Sequence, residues 1–339
     1  MEHCQSKGIW DSSVPVEKSS YLHDHPVKYI NVDGFSYDAS KPTMLDLFCG
    51  AGGFAVGAAW AGFQSVLGVD HLEPAMKTWT HNHPNAIGCL GDIKQIDPDH
   101  IQRLLASKGV TQINLITGGV PCQGFSRANR KHNDHDERNF LFADFLRFVK
   151  VFMPDYIILE NVSGMRSTAG GQFEGHIKNA MERLGYTPTV SMVNAADYGV
   201  PQIRQRLLFI GVKNGAGLTV PYQFPEGSFR KNYRTVADAI SDLPALENHQ
   251  SKSAYELPAQ TEYQKLLRGQ GPLPIEPAKE LFNHSAPNHV PDVLKKIENT
   301  PPGEPMYPKF QQRIRLKYDA PSPTQLAGGI RPQFQFGHP

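Results

Sequence analysis

The stretch "LDLFCGAGGFAVG", residues 45–57, passes from an apolar run that starts at Thr43, through a glycine cluster, into a segment of helix length. A strand that ends on glycines and reopens as a helix is the first half of a parallel α/β unit. Gly50, Gly52 and Gly53 allow the backbone to approach a ligand, and the helix start adds a partial positive field. The dinucleotide fingerprint requires another glycine three residues after Gly52, where this chain has Ala55. The turn therefore suits a nucleoside cofactor that carries a carboxylate better than one that carries a pyrophosphate.

The pattern repeats outward from this stretch. Residues 43–48, 65–70, 86–91, 113–118 and 156–161 read as buried strands, and 53–61, 74–82, 98–107, 139–152 and 171–185 as helices between them. Strands that alternate with helices predict a mostly parallel, doubly wound sheet of the α/β class, covered on both faces. "TVSMVNAADYG" and "QRLLFIGVK" add two late strands at one sheet edge. After about residue 214 prolines and glycines crowd the chain, and only 235–243 and 290–299 look helical. The expected organisation is a polar extension over 1–42 with no assigned role, a main domain over 43–215, and a smaller irregular domain over 230–339.

Composition sets limits on function. The 339 residues carry 34 Lys and Arg against 33 Asp and Glu, so bulk charge does not argue for nucleic acid. Local basic runs exist at "SRANRK" (126–131) and "KFQQRIRLK" (309–317). No apolar run reaches the roughly 18–20 residues of a membrane span, and the N-terminus lacks the apolar core of a secretory signal. Cys4, Cys49, Cys89 and Cys122 form no C-x-x-C pair, which argues against a structural metal site and for a reducing cytoplasm.

Successive strand ends carry candidate chemistry. Asp70 ends the second strand, 18 residues after Gly52, where a carboxylate can accept from ribose hydroxyls. Asp92 ends the third and suits an adenine amino group. The fourth ends in "ITGGVPCQGFS" (116–126), with Cys122 past the strand on a Pro/Gly loop. A free cysteine is most often a small buried hydrophobe. Against that, Cys122 sits at the ligand-binding edge, and Arg127, Arg130 and Lys131 follow it and favour a thiolate. The fifth strand ends in "LENV", which places Glu160 beside Cys122; in isolation Glu160 reads equally as a solvated acid or a helix cap. In "GVPQIRQRLLFIG" (199–211), Arg204 and Arg206 alternate onto one side of an extended segment. They imply either an anionic or carbonyl partner or an internal clasp.

"DLFCGAGG", "PCQGFS", "ENV" and "QIRQR", in that order and in those strand contexts, make the chain resemble the C5-cytosine DNA methyltransferases that use S-adenosylmethionine. The resemblance is dense over 43–215 and looser over 230–339. It implies a Rossmann-like fold, a double-stranded DNA substrate with the target base flipped out, and a place in a bacterial restriction–modification system. By position, Phe48, Gly50 and Gly52 resemble the cofactor loop, Asp70 the ribose acid and Asp92 the adenine contact, with Ile93 and Leu141 flanking the cofactor. Cys122 resembles the nucleophile, Glu160 the acid at the cytosine ring nitrogen, and Arg206, with Arg204 beside it, the base-binding arginine. Gln123, Ser126 and Arg127 resemble the catalytic loop. "YDAPSPTQL", with Thr324, resembles part of the target-recognition region. No metal is implied. An RNA substrate for the same chemistry is the alternative. The family's later R-E-x-x-R and G-N-x-V-P segments do not occur in the 339 residues, so two expectations stay open: one subunit of a split enzyme whose second subunit supplies them, or a truncation.

Overall fold

The computed structural model describes residues 26–120, 141–162, 172–217, 221–271, 277–309, 311, 313–325 and 337. The chain divides into two compact units, Met1–Ser191 with Leu207–Gln223, and Met192–Arg206 with Phe224–Pro339.

The first unit is built on five strands at the expected places: β2 (Thr43–Leu47), β3 (Gln64–Asp70), β4 (Ile87–Leu90), β5 (Leu115–Gly119) and β6 (Tyr156–Val162). A short β1 (Lys28–Ile30) precedes them, and β7 (Tyr186–Asn194) and β8 (Gln205–Lys213) follow. Together they form an eight-stranded sheet in the order β1-β4-β3-β2-β5-β6-β8-β7. β2 pairs in parallel with both β3 and β5, β3 with β4, and β5 with β6, while β1 runs antiparallel to β4. The chain thus steps outward from β2 through β3 to β4, then returns to start β5 on β2's other side. Strand order reverses between β2 and β5, which opens a crevice at their carboxyl ends.

Helices α1 (Gly53–Trp60), α2 (Glu73–Asn82), α3 (Pro98–Ser107), α4 (Leu141–Phe152) and α5 (Gln172–Arg183) fill the predicted intervals. Glycines inside strands admit the helices' large side chains. A β-carbon on Gly68 would lie 2.4 Å from Trp79 of α2, and one on Gly118 would lie 2.7 Å from Phe145 of α4. Trp79 and Phe145 are both fully buried on the sheet as a result.

The segment 26–42, which the sequence leaves without a role, belongs to this unit. β1 extends the sheet beyond β4, the Tyr37 hydroxyl donates to the Gly109 carbonyl (2.5 Å), and the Asp38 amide donates to Gln64 Oε1 (2.8 Å). A three-residue edge strand is too short to show an alternating pattern. No described helix is long and apolar enough to cross a membrane.

The second unit contains α6 (Val236–Ile240), α7 (Glu262–Leu267) and α8 (Pro291–Asn299). α6 and α8 match the two expected helices, and α7 is an addition. It spans six residues and starts on a capping box, in which the Thr261 hydroxyl accepts from the Gln264 amide and the Gln264 side chain accepts from the Thr261 amide. This unit's buried side chains are as much polar as apolar: Ala196, Val236 and Met306 beside Asp242, Gln264, Arg268 and Ser322. Arg268 pairs with Asp242 and lies 3.7 Å from the centre of the Tyr255 ring. Arg234 sits between the rings of Phe229 and Tyr263, at 4.5 and 4.7 Å. An interior joined by guanidinium–aromatic and ion-pair contacts carries no clear hydrophobic period, which accounts for the irregular texture of the sequence here.

The packing at Gly68 gives a direct test. Gly68→Ala should destabilise the chain by about 1–3 kcal/mol through overpacking against Trp79, read as a lower urea midpoint with an unchanged slope.

Candidate active site

The loop between β2 and α1 is sharply bent. Phe48 and Gly50 both have φ 54° and Gly52 has φ 99°, three left-handed residues within five. Glycine tolerates this conformation; for Phe48 it costs on the order of 1–3 kcal/mol and persists only because the surroundings fix it. The fixing bonds are on both sides. The Cys49 amide donates to the Val69 carbonyl (3.0 Å), the Gly52 amide to the Cys49 carbonyl (2.9 Å), and the Gly50 amide to Asp70 Oδ2 (2.8 Å).

Asp70 ends β3 as expected and is 8% exposed. Beyond holding Gly50, it accepts the Leu72 amide on Oδ1 at 2.8 Å. Each oxygen keeps a lone pair, since a carboxylate offers about four acceptor sites. Asp92 accepts the Lys94 amide on Oδ1 (3.0 Å) and so caps a 3-10 turn over Ile93–Gln95. Its Oδ2 is buried and has no hydrogen-bond partner among the described residues. A buried orphan acceptor is costly and marks a place for a donor from outside the chain, such as an exocyclic amine. Ile93 is buried, and its carbonyl accepts from Arg147 Nη2 (2.8 Å); Arg147 also pairs with Asp144 (3.0 Å). Burial holds the Asp144 carboxyl above its ordinary range, and that arginine opposes the shift. Leu141 opens α4, half-buried.

Glu160 lies opposite Gly119 in the β5–β6 register. A β-carbon on Gly119 would come 3.3 Å from Glu160 Oε2, so the carboxylate rests over that glycine. Asn161, buried beside it, donates to the Val120 carbonyl (3.5 Å). β5 hands the chain at Val120 to the segment that contains Cys122, Gln123, Ser126 and Arg127. All four lie outside the described residues, as do Arg130 and Lys131.

Arg204 and Arg206 belong to the second unit, whereas Glu160 belongs to the first. The Asn194 side chain accepts the Arg204 amide (3.0 Å) and the Ala196 amide (3.4 Å), while the Ala195 amide donates to the Arg204 carbonyl (2.9 Å). From the other side, the Ile203 amide donates to the Ser322 carbonyl (2.8 Å), the Ser322 amide to the Pro201 carbonyl (2.9 Å), and the Thr324 hydroxyl to the Ile203 carbonyl (2.7 Å). The Arg204 guanidinium donates to the Gln325 carbonyl (3.4 Å) and that of Arg206 to the Gln205 carbonyl (2.8 Å). The "QIRQR" segment is therefore clasped between 194–196 and 322–325. Both guanidinium groups thus have main-chain carbonyl partners within the chain. "KFQQRIRLK" is partly structural too, because Arg315 Nη1 donates to the Glu298 and Thr300 carbonyls (3.0 and 3.1 Å) at the end of α8.

Sequence reasoning passed over Asp46. It is fully buried in β2, where it accepts from the Thr117 hydroxyl (2.8 Å) and the Trp79 indole N–H (3.3 Å). Burial pushes its pKa up to about 7; the Thr117 and Trp79 donors oppose this, and the Asp70 charge adds to it. The available signal was an acid inside a five-residue strand that is otherwise buried, since such a group requires partners.

Residues 42–312 match the model of the C-5 cytosine-specific DNA methylase family. The chain belongs to this family. Its relatives include the type II methyltransferase M.AgeI of Thalassovita gelatinovora, 36% identical over 266 residues (71% of this chain, 59% of that protein). M.DdeI of Desulfomicrobium norvegicum is 35% identical over 260 residues, 75% of this chain and 60% of that protein. M1.HphI of Haemophilus parahaemolyticus is 32% identical over 306 residues, 87% and 73%. The chain thus spans about 60% of the length of the first two relatives. Among solved structures, a prophage-encoded E. coli protein assigned as a DNA modification methyltransferase superposes with a TM-score of 0.68 at 26% identity, over 84% of this chain and 82% of that one.

Asp46 gives this chain a specific pH response. Its folded-state pKa of about 7 lies above the ordinary value of 3.8, so between these limits the folded chain binds the proton more tightly than the unfolded one. The group's contribution to stability is therefore greatest below the unfolded pKa, falls as pH rises toward 7, and is flat above. The wild-type melting temperature should fall over this window relative to that of Asp46→Asn, whose curve should be flatter; parallel curves would refute the assignment.

Proposed function

We propose that this chain transfers a methyl group from S-adenosylmethionine to C5 of cytosine in double-stranded DNA, within a restriction–modification system. The observation that carries the reading is the occurrence of three features at the carboxyl ends of parallel strands of one sheet. These are the left-handed glycine loop after β2, the orphan Asp92 oxygen after β4, and Glu160 resting over Gly119 where β5 leads to "PCQ". In such sheets ligands bind outside these strand ends.

The cofactor supplies an electrophilic methyl group. The chain's residues supply the rest. The loop over 48–52 takes the cofactor's amino-acid end, the free lone pairs of Asp70 accept from ribose hydroxyls, and Asp92 Oδ2 accepts the adenine amino group. Ile93 and Leu141 line the adenine ring.

C5 of cytosine is a weak nucleophile. The Cys122 thiolate forms a bond to C6, and the electrons of the C5–C6 double bond shift to make C5 enamine-like. Glu160 lowers the barrier by donating at N3, where negative charge develops. Arg206 holds the O2 carbonyl, and Arg204 orients the segment. Once C5 carries the methyl group, its proton leaves to a base, the C5–C6 double bond re-forms and the thiolate is expelled. The base reacts only outside the stack, so the duplex must release it. Gln123, Ser126 and Arg127 belong to the segment that closes on the flipped nucleotide, and the second unit reads the flanking bases.

The test is labelled methyl transfer to duplex DNA and to RNA, with the chain alone and with a second polypeptide carrying R-E-x-x-R and G-N-x-V-P segments. Duplex DNA should be labelled; label in RNA alone would make the alternative substrate correct. Cys122→Ser should reduce transfer by at least about 10⁴-fold, as loss of a nucleophile does, with cofactor affinity nearly unchanged. A covalent adduct with 5-fluorocytosine DNA should form with the wild type and not with the variant.

A further inference from the structure

We infer that the N-terminal arm, residues 26–30, is a positioning element of the nucleobase subsite: Val27 covers Gly91 and so sets where Asp92 presents its unpartnered oxygen. This rests on reading Asp92 as the acceptor of the cofactor's adenine amino group.

The topology brings the arm there. β1 runs antiparallel to β4, and its first residue, Lys28, pairs with Leu90, the last residue of β4. The residues before Lys28 therefore lie beside those that follow Leu90, at the carboxyl edge of the parallel strands where ligands bind. Val27 is half-buried at that place. A β-carbon on Gly91 would lie 3.1 Å from Val27 Cγ2 and 3.3 Å from Val27 Cα, so the arm's backbone as well as its side chain is seated on that glycine. Shielding the bare edge of β4 would need only the ladder over 28–30; the contact of Val27 with Gly91 lies beyond that ladder.

Gly91 joins the two candidate cofactor acids. Its amide donates to the Asp70 carbonyl (3.0 Å), and the next residue is Asp92. Asp92 engages one oxygen with the Lys94 amide and keeps Oδ2 buried without a partner among the described residues. An acceptor that meets its donor only when a ligand arrives must be held in place beforehand. On the β3 side the Asp70 carbonyl holds Gly91, and on the opposite side of β4 the arm does. The arm has its own anchors, which a strand of three residues requires. Ile30 packs on the buried cluster that contains Met76 and Trp79, and the Tyr29 ring stands 5.7 Å from the His100 ring of α3.

Calorimetric titrations of the full chain without DNA test this with S-adenosylhomocysteine and S-inosylhomocysteine, in which a carbonyl oxygen replaces the 6-amino group. The wild type should bind the adenosyl ligand at least about tenfold more tightly, because the inosyl oxygen leaves Asp92 Oδ2 without a donor. Val27→Gly should lower that ratio to about threefold or less, by weakening the adenosyl ligand and leaving the inosyl ligand unchanged. Equal weakening of both ligands, which a loss of packing alone would give, overturns the positioning role, and so does an unchanged ratio. Should Val27→Gly not fold, Val27→Ala removes two methyl groups and should lower the ratio about twofold. Amide exchange in the ligand-free chain reads the same role without any ligand. The Gly91 and Lys94 amides should exchange at least about fivefold faster in Val27→Gly, because the cover over Gly91 is lost. Unchanged exchange at both overturns the role whether or not either ligand binds. With a wild type that binds the two ligands equally, the adenine reading of Asp92 fails, while faster exchange at 91 and 94 still upholds the arm's hold on that carboxylate.

Discussion

The arrangement depends on how β2 is accommodated between β3 and β5. A strand paired on both sides and covered by helices has no water to offer its polar groups. All five of its residues, Thr43 to Leu47, are buried, and one is an aspartate. The fold meets that constraint by delivering a hydroxyl from β5 and an indole N–H from α2 to the same carboxylate. The same indole ring lies under Gly52, so the partner that satisfies the buried acid also supports the loop. The loop itself is tied to β3 through the Val69 carbonyl and the Asp70 carboxylate, with a phenylalanine held in a conformation suited to glycine.

The glycines serve the same end. Trp79 reaches Asp46 only because position 68 has no side chain, and it supports the loop only because position 52 has almost none. Gly119 likewise clears the space into which Glu160 extends. An added methyl group would collide with Trp79 at position 68 and would crowd Trp79 at position 52 and Glu160 at position 119.

Much of this was legible in sequence because the physics involved is local and periodic. Apolar runs of strand length separated by helical segments predict parallel strands, and β2 to β6 occur within two residues of the expected bounds. The acids at strand ends follow from the same pattern, and Asp70, Asp92 and Glu160 stand where it places them. What was missed depends on tertiary partners. β1 is three residues long and α7 six, too short for a period to show. Asp92 was legible as an acid, but nothing in the sequence says that one oxygen would be buried without a partner. Ser322 and Thr324 hold the arginine segment from more than a hundred residues away in the chain, and spacing carries no signal at that distance. The interior of the second unit is joined by Arg234 and Arg268 stacked on aromatic rings, residues that hydropathy assigns to the surface.

The departure from the dinucleotide pattern also acquires a physical reason. A helix start after a glycine turn is ordinarily an anion site, because its free amides carry about half a positive charge. In the fingerprint the third glycine admits close packing under a bound pyrophosphate. Here that position is Ala55, and the turn before it already carries a carboxylate, because Asp70 accepts the Gly50 amide. A phosphate arriving at this turn would find that amide occupied and a negative charge beside it, which accounts for the departure from the pyrophosphate-binding pattern.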